Sequence, residues 1–231
     1  REIEHAPYQA IAGICIESLR VESQMAYGPP VARSLLAAAL LASFAASAGA
    51  ARGDDGWRVV HDKKGVTLER RPVDGSRYYE YRARTHTTVS AKLAFERIWT
   101  GIGDERSPTL KHRTVLHRDE DELVVYDQIH AAVVSDRDVT IRIHKAPDGR
   151  GGFQIQFAST SDVGPPPASG YVRLPVVRGS WHVEPAADGG ANIAYLCYSE
   201  PGGAIPAFLV RGAQQDSTLD EFERVLKRVG R

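Results

Sequence analysis

Apolar and polar residues alternate with a two-residue period along most of the chain beyond residue 57. This period is typical of β-strands that bury one face. It predicts strands at residues 66–71, 78–88, 110–118, 122–130, 138–145, 152–159, 171–184 and 191–199. The connections between them are short and rich in turn residues, as in Pro147-Asp148-Gly149. Because short connections join antiparallel neighbours, the pattern predicts an antiparallel meander.

Two segments have instead the three- and four-residue spacing of amphipathic helices. The first begins after Ser90, which can act as an N-cap, and ends near Gly101. The second covers residues 206–229, and Pro206 lies in its first turn, where a missing N–H costs nothing. The order of two strands, a helix, six strands and a long helix predicts one α+β domain at residues 53–231.

The apolar face of the last helix is interrupted near its middle. Its apolar positions are spaced by three or four residues: Ile205, Leu209, Gly212, Leu219, Phe222, Leu226 and Val229. Polar residues follow one another from Gln214 to Thr218, which places Gln215 or Asp216 where a core helix would carry Leu. Either this turn of the helix meets solvent, or the helix closes over a cavity and offers a polar contact to a ligand.

The composition mainly excludes certain classes of partner and site. Lys and Arg total 29, as do Asp and Glu, so the net charge is zero and nucleic acid is not an expected partner. The two Cys are too few for a disulfide framework or a four-thiolate zinc site. The sequence also has no His-x-x-x-His zinc spacing and no Gly-x-Ser-x-Gly nucleophile turn. We therefore expect no metal site of these kinds and no nucleophile elbow.

The N-terminal part of the chain has the pattern of an export signal. Beyond Met25, residues 34–46 are uncharged and small or apolar, and they end at small residues that signal peptidase can cleave. This run is shorter than the roughly 20 residues of a membrane-spanning helix. The pattern predicts a signal peptide at residues 25–48 of a periplasmic or secreted protein. Residues 1–24 are expected to be upstream sequence that is not native.

Three stretches of the predicted domain resemble the START (StAR-related lipid-transfer) family of the helix-grip superfamily. They are residues 135–142, where Arg137-Asp138 enters a strand; residues 161–173, similar to the omega loop beside the family's cavity mouth; and residues 190–206, which lead into the last helix. The resemblance implies a curved antiparallel β-sheet wrapped around a long C-terminal α-helix, with a hydrophobic cavity between them. It further implies that this cavity holds one lipid-like molecule, without a cofactor and without a reaction.

The resemblance also implies a role for Arg142. START domains often place a buried Arg on the strand after the Arg-Asp signature, and in some members this Arg pairs with an acid on the preceding strand. An unpaired buried Arg is costly, so Arg142 either pairs with Asp127, meets an anionic head group of the ligand, or reaches solvent. For Arg137 and Asp138 the simpler expectation is an ion pair that anchors a turn.

Two groups of residues are further candidates for ligand contact. The residues expected on the cavity side of the closing helix are Phe208, Leu209, Gly212, Gln215 and Asp216. Tyr126, Gln128 and His130 share one face of a predicted strand at a spacing of two, so together they could orient a substrate carbonyl. Alternatively, this face of the strand is turned to solvent.

The leading hypothesis is therefore an exported START-like protein that carries or senses one lipid or sterol-like molecule and contacts membranes transiently. A second hypothesis is a helix-grip cyclase or hydrolase acting on a hydrophobic substrate, since some relatives in the wider superfamily place His, Tyr or carboxylates in the same cavity. A third is a structural or interaction module, which a cavity filled by side chains would favour. Cys197 lies in an apolar strand and is expected to be a core residue rather than a nucleophile.

Overall fold

The structure is a computed structural model and describes residues 56–102, 107–131, 134–148 and 151–230. The predicted signal peptide and the segment before it lie outside these residues. The strands, in chain order, are β1 (Arg58–Lys63), β2 (Val66–Pro72), β3 (Tyr79–Thr87), β4 (Leu110–Arg118), β5 (Glu122–Ile129), β6 (Asp136–Pro147), β7 (Phe153–Ser159), β8 (Tyr171–Arg173), β9 (Val176–Pro185) and β10 (Ala191–Glu200). The helices are α1 (Ala91–Ile102), between β3 and β4, and α2 (Ala207–Val229), after β10.

The strands form one sheet in the order β1-β2-β3-β10-β9-β7-β6-β5-β4, and neighbours along this order are antiparallel. β8 lies off this path and pairs with β6 in parallel. α1 and α2 pack on each other, α1 lies against β7, β9 and β10, and α2 lies against β3. The predicted α+β architecture, an antiparallel sheet held against a long C-terminal helix, is confirmed. No helix among the described residues is long and apolar enough to cross a membrane.

Two elements differ from the sequence pattern. β1 has no counterpart in it, because its two valines stand among charged residues and Val59 is exposed on an edge strand. The single strand expected at residues 171–184 is divided into β8 and β9. Pro175 lies at the division, where its missing N–H interrupts strand pairing. Leu174 just before it is buried, and its N–H donates to Asp138 O.

A row of aromatic rings connects the middle of the sheet to α2. Ring centroids lie 6.1 Å apart between Phe157 and Tyr195, 4.3 Å between Tyr195 and Trp181, and 5.8 Å between Trp181 and Phe222. Gly179 makes room for the first ring, since a Cβ there would lie 2.4 Å from a Phe157 ring atom. These stacked rings are part of the main apolar core and fix the C-terminal half of α2 on the sheet.

The end of α2 is fastened to α1 by polar contacts as well. The Arg97 guanidinium donates to Val229 O, and the Arg228 side chain lies directly over Gly101. Any Cβ at position 101 would collide with that guanidinium. Gly230 ends the helix with a φ of 96°, and its N–H donates to Leu226 O. The C-terminal half of α2 is thus held at several points.

Candidate functional site

The two faces of the sheet differ in what covers them. We call the face on the side of α2 the inner face and the opposite one the outer face. Trp181 stacks on Phe222 of α2 and therefore lies on the inner face. Ile155 and Tyr195 are the strand partners of Trp181, and since paired residues of neighbouring strands share a face, both are inner-face residues. The same pairing, continued through β7 and β6, places Val139 and Asp127 on the inner face. On β5, β6, β7, β9 and β10 the odd-numbered residues therefore face inward.

The buried residues of α2 are polar from Gln214 to Glu221 and apolar from Phe222 to Val229. The buried polar residues of α2 are Gln214, Ser217, Thr218 and Glu221, and the buried apolar residues are Val210, Phe222, Val225, Leu226 and Val229. Gly212 and Asp216 are exposed and Gln215 is half-buried, so the expected place of Gln215 or Asp216 on the buried face is taken by Gln214. Packing on Trp181 and α1 sets the rotation of the helix at Phe222, and four-residue steps back from there lead to Thr218 and Gln214.

The side chain of Gln214 is 1% exposed, and its amide group is bonded on one side only. Nε2 donates to Ser199 O at 2.8 Å and to Ser199 Oγ at 3.1 Å. Oε1 is buried and has no hydrogen-bond partner. The hydroxyls of Ser217 and Thr218 both donate to the backbone carbonyl of Gln214. Gln214 therefore carries a buried acceptor oxygen without a hydrogen-bond partner.

The inner face also carries a buried ion pair between Arg113 of β4 and Asp127 of β5. Nε and Nη2 of Arg113 lie 2.6 Å and 2.5 Å from the two carboxylate oxygens of Asp127, which makes the contact bidentate. Nη1 donates to Ile102 O at the end of α1. Asp127 is 2% exposed, so the pair connects β4, β5 and α1 inside the protein. Nothing in the sequence pattern singled out Arg113, because β4 is an edge strand of mostly exposed residues.

Arg137 is a second buried guanidinium on the inner face, and its hydrogen bonds go to backbone carbonyls. It donates to Ser135 O, to Pro201 O at 3.1 Å and to Gly202 O at 3.4 Å. Burial lowers the pKa of Arg137. The expected ion pair with Asp138 does not form, because consecutive residues of a strand point to opposite faces. Arg137 instead holds the start of the segment that links β10 to α2, and Gln214 bonds to Ser199 near the end of β10.

Arg142 lies on the outer face, where it pairs with Glu122 at 2.7 Å and keeps 36% of its side chain exposed. Its strand partner is Val124, whereas Asp127 lies beside Val139. Of the three alternatives for Arg142, the pair with Asp127 is not observed, and the partly exposed guanidinium agrees with the alternative that it reaches solvent. Five positions separate Arg142 from the inward-facing Arg137, and an odd separation along a strand reverses the face.

Tyr126 and Gln128 also lie on the outer face, with their strand partners Thr140 and Asp138. The Tyr126 hydroxyl donates to Asp138 Oδ2 at 2.9 Å, and burial raises the pKa of Tyr126. His130 is exposed beyond the end of β5, with its ring nitrogen 3.0 Å from Asp136 Oδ1. The three residues thus lie away from the α2 side of the sheet, and the hypothesis that they orient a substrate in the interior loses its geometric basis.

The loop at residues 161–170 covers part of the outer face, over β5 and β6. Asp138 holds it in place, accepting hydrogen bonds from Ala168 N at 2.9 Å and from Arg173 Nε at 2.8 Å. Burial raises the pKa of Asp138, but the bonds from Arg173, Ala168 and Tyr126 outweigh it, so the pKa lies below its usual value. Gly164 lies so close to Thr140 that a Cβ would be 2.4 Å from Oγ1. Residues 164 and 168 of this loop therefore contact β6 on the outer face of the sheet.

Phe208 and Leu209 lie in the first turn of α2, and their side chains fall outside the described part of the structure. The next residue, Val210, is fully buried with Tyr78, Tyr198 and Ile205 in a small apolar cluster. Cys197 is fully buried in β10, as expected for a core residue. Within the described ranges, no three side chains of His, Cys, Asp or Glu are placed to hold a metal ion.

Comparison with known proteins gives consistent matches. Residues 45–231 match the family model described as START domain. An uncharacterized protein of Pseudomonas aeruginosa, PA1579, is 27% identical over 182 residues, which are 76% of this chain and 87% of that protein. A STAR-related lipid transfer protein from Xanthomonas axonopodis is 24% identical with a TM-score of 0.63, covering 77% of this chain and all of that one. Human STARD10 has a TM-score of 0.64 at 18% identity, covering 77% of this chain and 74% of that one.

Proposed function

Since the chain belongs to the START domain family, we propose that it binds one lipid-like molecule between the inner face of the sheet and α2. In this proposal it carries or senses the molecule and catalyses no reaction. Such a role fits the family, and the Xanthomonas axonopodis protein of the same fold is named a STAR-related lipid transfer protein.

The observation that carries the proposal is the row of buried polar residues in the N-terminal half of α2. A helix that only fills a core would have apolar residues at these positions, because burying polar groups lowers stability unless they find partners. Gln214, Ser217 and Thr218 are nearly inaccessible, and they lie one to two turns before Phe222, which packs on Trp181. Polar groups at such a place fit a site that accommodates the polar end of a mostly apolar ligand.

The rest of the inner face is suited to the apolar part of such a ligand. Its side chains on β5 and β6 include Val125, Val139, Ile141 and Ile143, all fully buried. Removing a lipid chain from water is favourable by about 0.8 kcal/mol for each CH₂ group. An apolar wall of this kind therefore supports binding without any directed contact along the chain of the lipid.

The binding proposal is tested first by native mass spectrometry of protein purified from cells. We expect a bound lipid that dissociates under activation and is identified after extraction. Protein stripped of lipid should then take up a fluorescent phospholipid or sterol probe. If neither a co-purifying lipid nor uptake of any probe is found, the proposal is contradicted.

Two substitutions on the same turn of α2 test where the ligand lies. Val210→Asp places a charge at a fully buried position, so lipid uptake should be lost. Gly212→Asp is the matched control, because position 212 is exposed and a Cβ there meets nothing within 4 Å. Circular dichroism and thermal melting of both variants separate lost binding from lost folding. A folded Val210→Asp protein that binds like Gly212→Asp would contradict a ligand beside α2.

We further propose that the protein is exported, with the signal peptide at residues 25–48, and that it contacts membranes transiently to exchange its ligand. The test is expression from Met25 in a bacterial host, followed by fractionation and mass spectrometry of the exported protein. We expect a mature N-terminus at Gly49 or Ala51. A cytosolic product that keeps residues 25–48 would contradict export and leave the binding proposal unaffected.

A further inference from the structure

The amide oxygen of Gln214 is a buried acceptor without a donor, and its direction is fixed by its neighbours. Ser199 O is a carbonyl oxygen and can only accept, so the NH₂ group of Gln214 must be the part that faces it. Exchanging the two ends of the amide would bring two carbonyl oxygens together. Oε1 therefore points away from Ser199, and it has no partner there.

The hydroxyl groups near Gln214 do not supply a donor for Oε1. Ser217 Oγ and Thr218 Oγ1 donate to the backbone carbonyl of Gln214, at 3.2 Å and 2.7 Å. The Tyr81 hydroxyl, on the strand against which α2 packs, donates to Arg211 O. Each of these groups has a single proton to donate, and each proton is already used in the helix backbone.

An acceptor in this state is unusual, because buried polar groups in folded proteins nearly always have a partner. The unpaired oxygen is understandable if its hydrogen-bond donor is a group of the bound ligand. We propose that Gln214 Oε1 accepts a hydrogen bond from the polar end of the bound lipid, and that this end is a hydroxyl or N–H group. The inference rests on the proposed function, and it narrows the ligand class.

The chemistry of the acceptor separates classes of lipid. Sterols, long-chain alcohols, monoacylglycerols and lipids with an amide N–H can donate to Oε1. Hydrocarbons, wax esters and ethers cannot donate. An ionised fatty acid is also disfavoured, because a carboxylate is an acceptor only and would be repelled by the amide oxygen. Gln214 would thus determine specificity rather than overall affinity for apolar chains.

The test compares donors with matched non-donors by displacement of a fluorescent probe, 1-anilinonaphthalene-8-sulfonate. The pairs are cholesterol with cholesteryl methyl ether, and 1-hexadecanol with 1-methoxyhexadecane. Gln214→Met keeps the length of the side chain and removes the acceptor. Gln215→Met is the matched control, because it is the same substitution at the next residue, whose side chain is only half-buried. For at least one pair, the preference for the alcohol should be about tenfold to a hundredfold greater in the wild type than in Gln214→Met. Gln215→Met should keep the wild-type preference.

The outcomes distinguish this inference from the proposed function. If alcohols and ethers all displace the probe and the preference is the same in wild type and Gln214→Met, lipid binding stands and the role of Gln214 is overturned. If no lipid displaces the probe from any protein, both are overturned. A crystal structure of the wild type with a bound alcohol is independent of how the variant folds. A ligand hydroxyl within about 3.2 Å of Oε1 supports the inference, and a water in that place overturns it.

Discussion

Asp127 and Asp138 are both buried carboxylates paired with an arginine, but they lie on opposite faces of the sheet. Asp127 faces inward and is held by Arg113 of the neighbouring strand. Asp138 faces outward and is held by Arg173 and by the backbone of the loop that covers it. The first contact connects the sheet to α1, and the second attaches a loop to the outside of the sheet.

The difference shows how the two faces use polar groups. Around Asp138 the protein closes the outer face with its own chain, and the carboxylate is fully bonded by Arg173, Ala168 and Tyr126. On the inner face, beside α2, the Gln214 oxygen has no donor, and on the outer face the buried Thr140 hydroxyl likewise has no partner. The proposed ligand lies against the inner face, so substitutions on the two faces should have different consequences.

The largest expected effect is on the inner face, in the variant Asp127→Asn. It removes the charge that compensates the buried Arg113 guanidinium, and loss of one partner of a buried ion pair costs about 3–5 kcal/mol. The free energy of unfolding, measured by urea denaturation, should fall by that amount. The double variant Asp127→Leu with Arg113→Met should recover more than half of the loss. A cost below about 1 kcal/mol for Asp127→Asn would mean that Arg113 is not held in the interior.

On the outer face we expect an intermediate effect from Asp138→Asn, about 2 kcal/mol, because several hydrogen bonds to a charged group are weakened. The pKa of Asp138 is lowered in the folded protein, so the unfolded chain takes up its proton at a higher pH. The stabilisation is complete above the unfolded pKa of about 3.9 and is lost as the pH falls through the folded value.

The measurement is the free energy of unfolding as a function of pH, together with hydrogen exchange at the Ala168 amide. Asp138→Asn should flatten the acid side of the profile and speed exchange at Ala168, with lipid binding retained. Asp162→Asn is the control, because Asp162 is an exposed carboxylate of the same loop. If the acid dependence were unchanged in Asp138→Asn, this carboxylate would not be the group that holds the loop.

The smallest effect is expected from Arg142→Gln, which removes the outer-face pair with Glu122. The pair is partly exposed, and such pairs contribute about 0–1 kcal/mol. Both the thermal midpoint and lipid uptake should stay close to those of the wild type. Loss of lipid uptake in a stable Arg142→Gln protein would place the ligand on the outer face and reverse the comparison.

The sequence determined the elements and the family, because both depend on local patterns. The two-residue period predicted the strands from β2 to β10, with β8 and β9 as one strand, and the three- and four-residue spacing predicted both helices. Phe222, Leu226 and Val229 were found as buried positions of α2 since they are apolar at helical spacing. The motif around Arg137-Asp138, with the residues that follow it, indicated the START family, which the family model confirms.

The tertiary structure alone decided which face of each element is turned to the interior. β5 is buried on both faces, because the outer loop covers Tyr126 while the inner side packs in the core, so its residue pattern has no alternation that marks the inner face. For that reason the sequence left open which way Tyr126 faces, and Arg113 was overlooked. The rotation of α2 is set by distant contacts with Trp181 and α1, which is why the buried acceptor is Gln214 rather than its neighbours. A polar residue carries no local sign of being buried, since its burial depends on partners supplied by other parts of the chain.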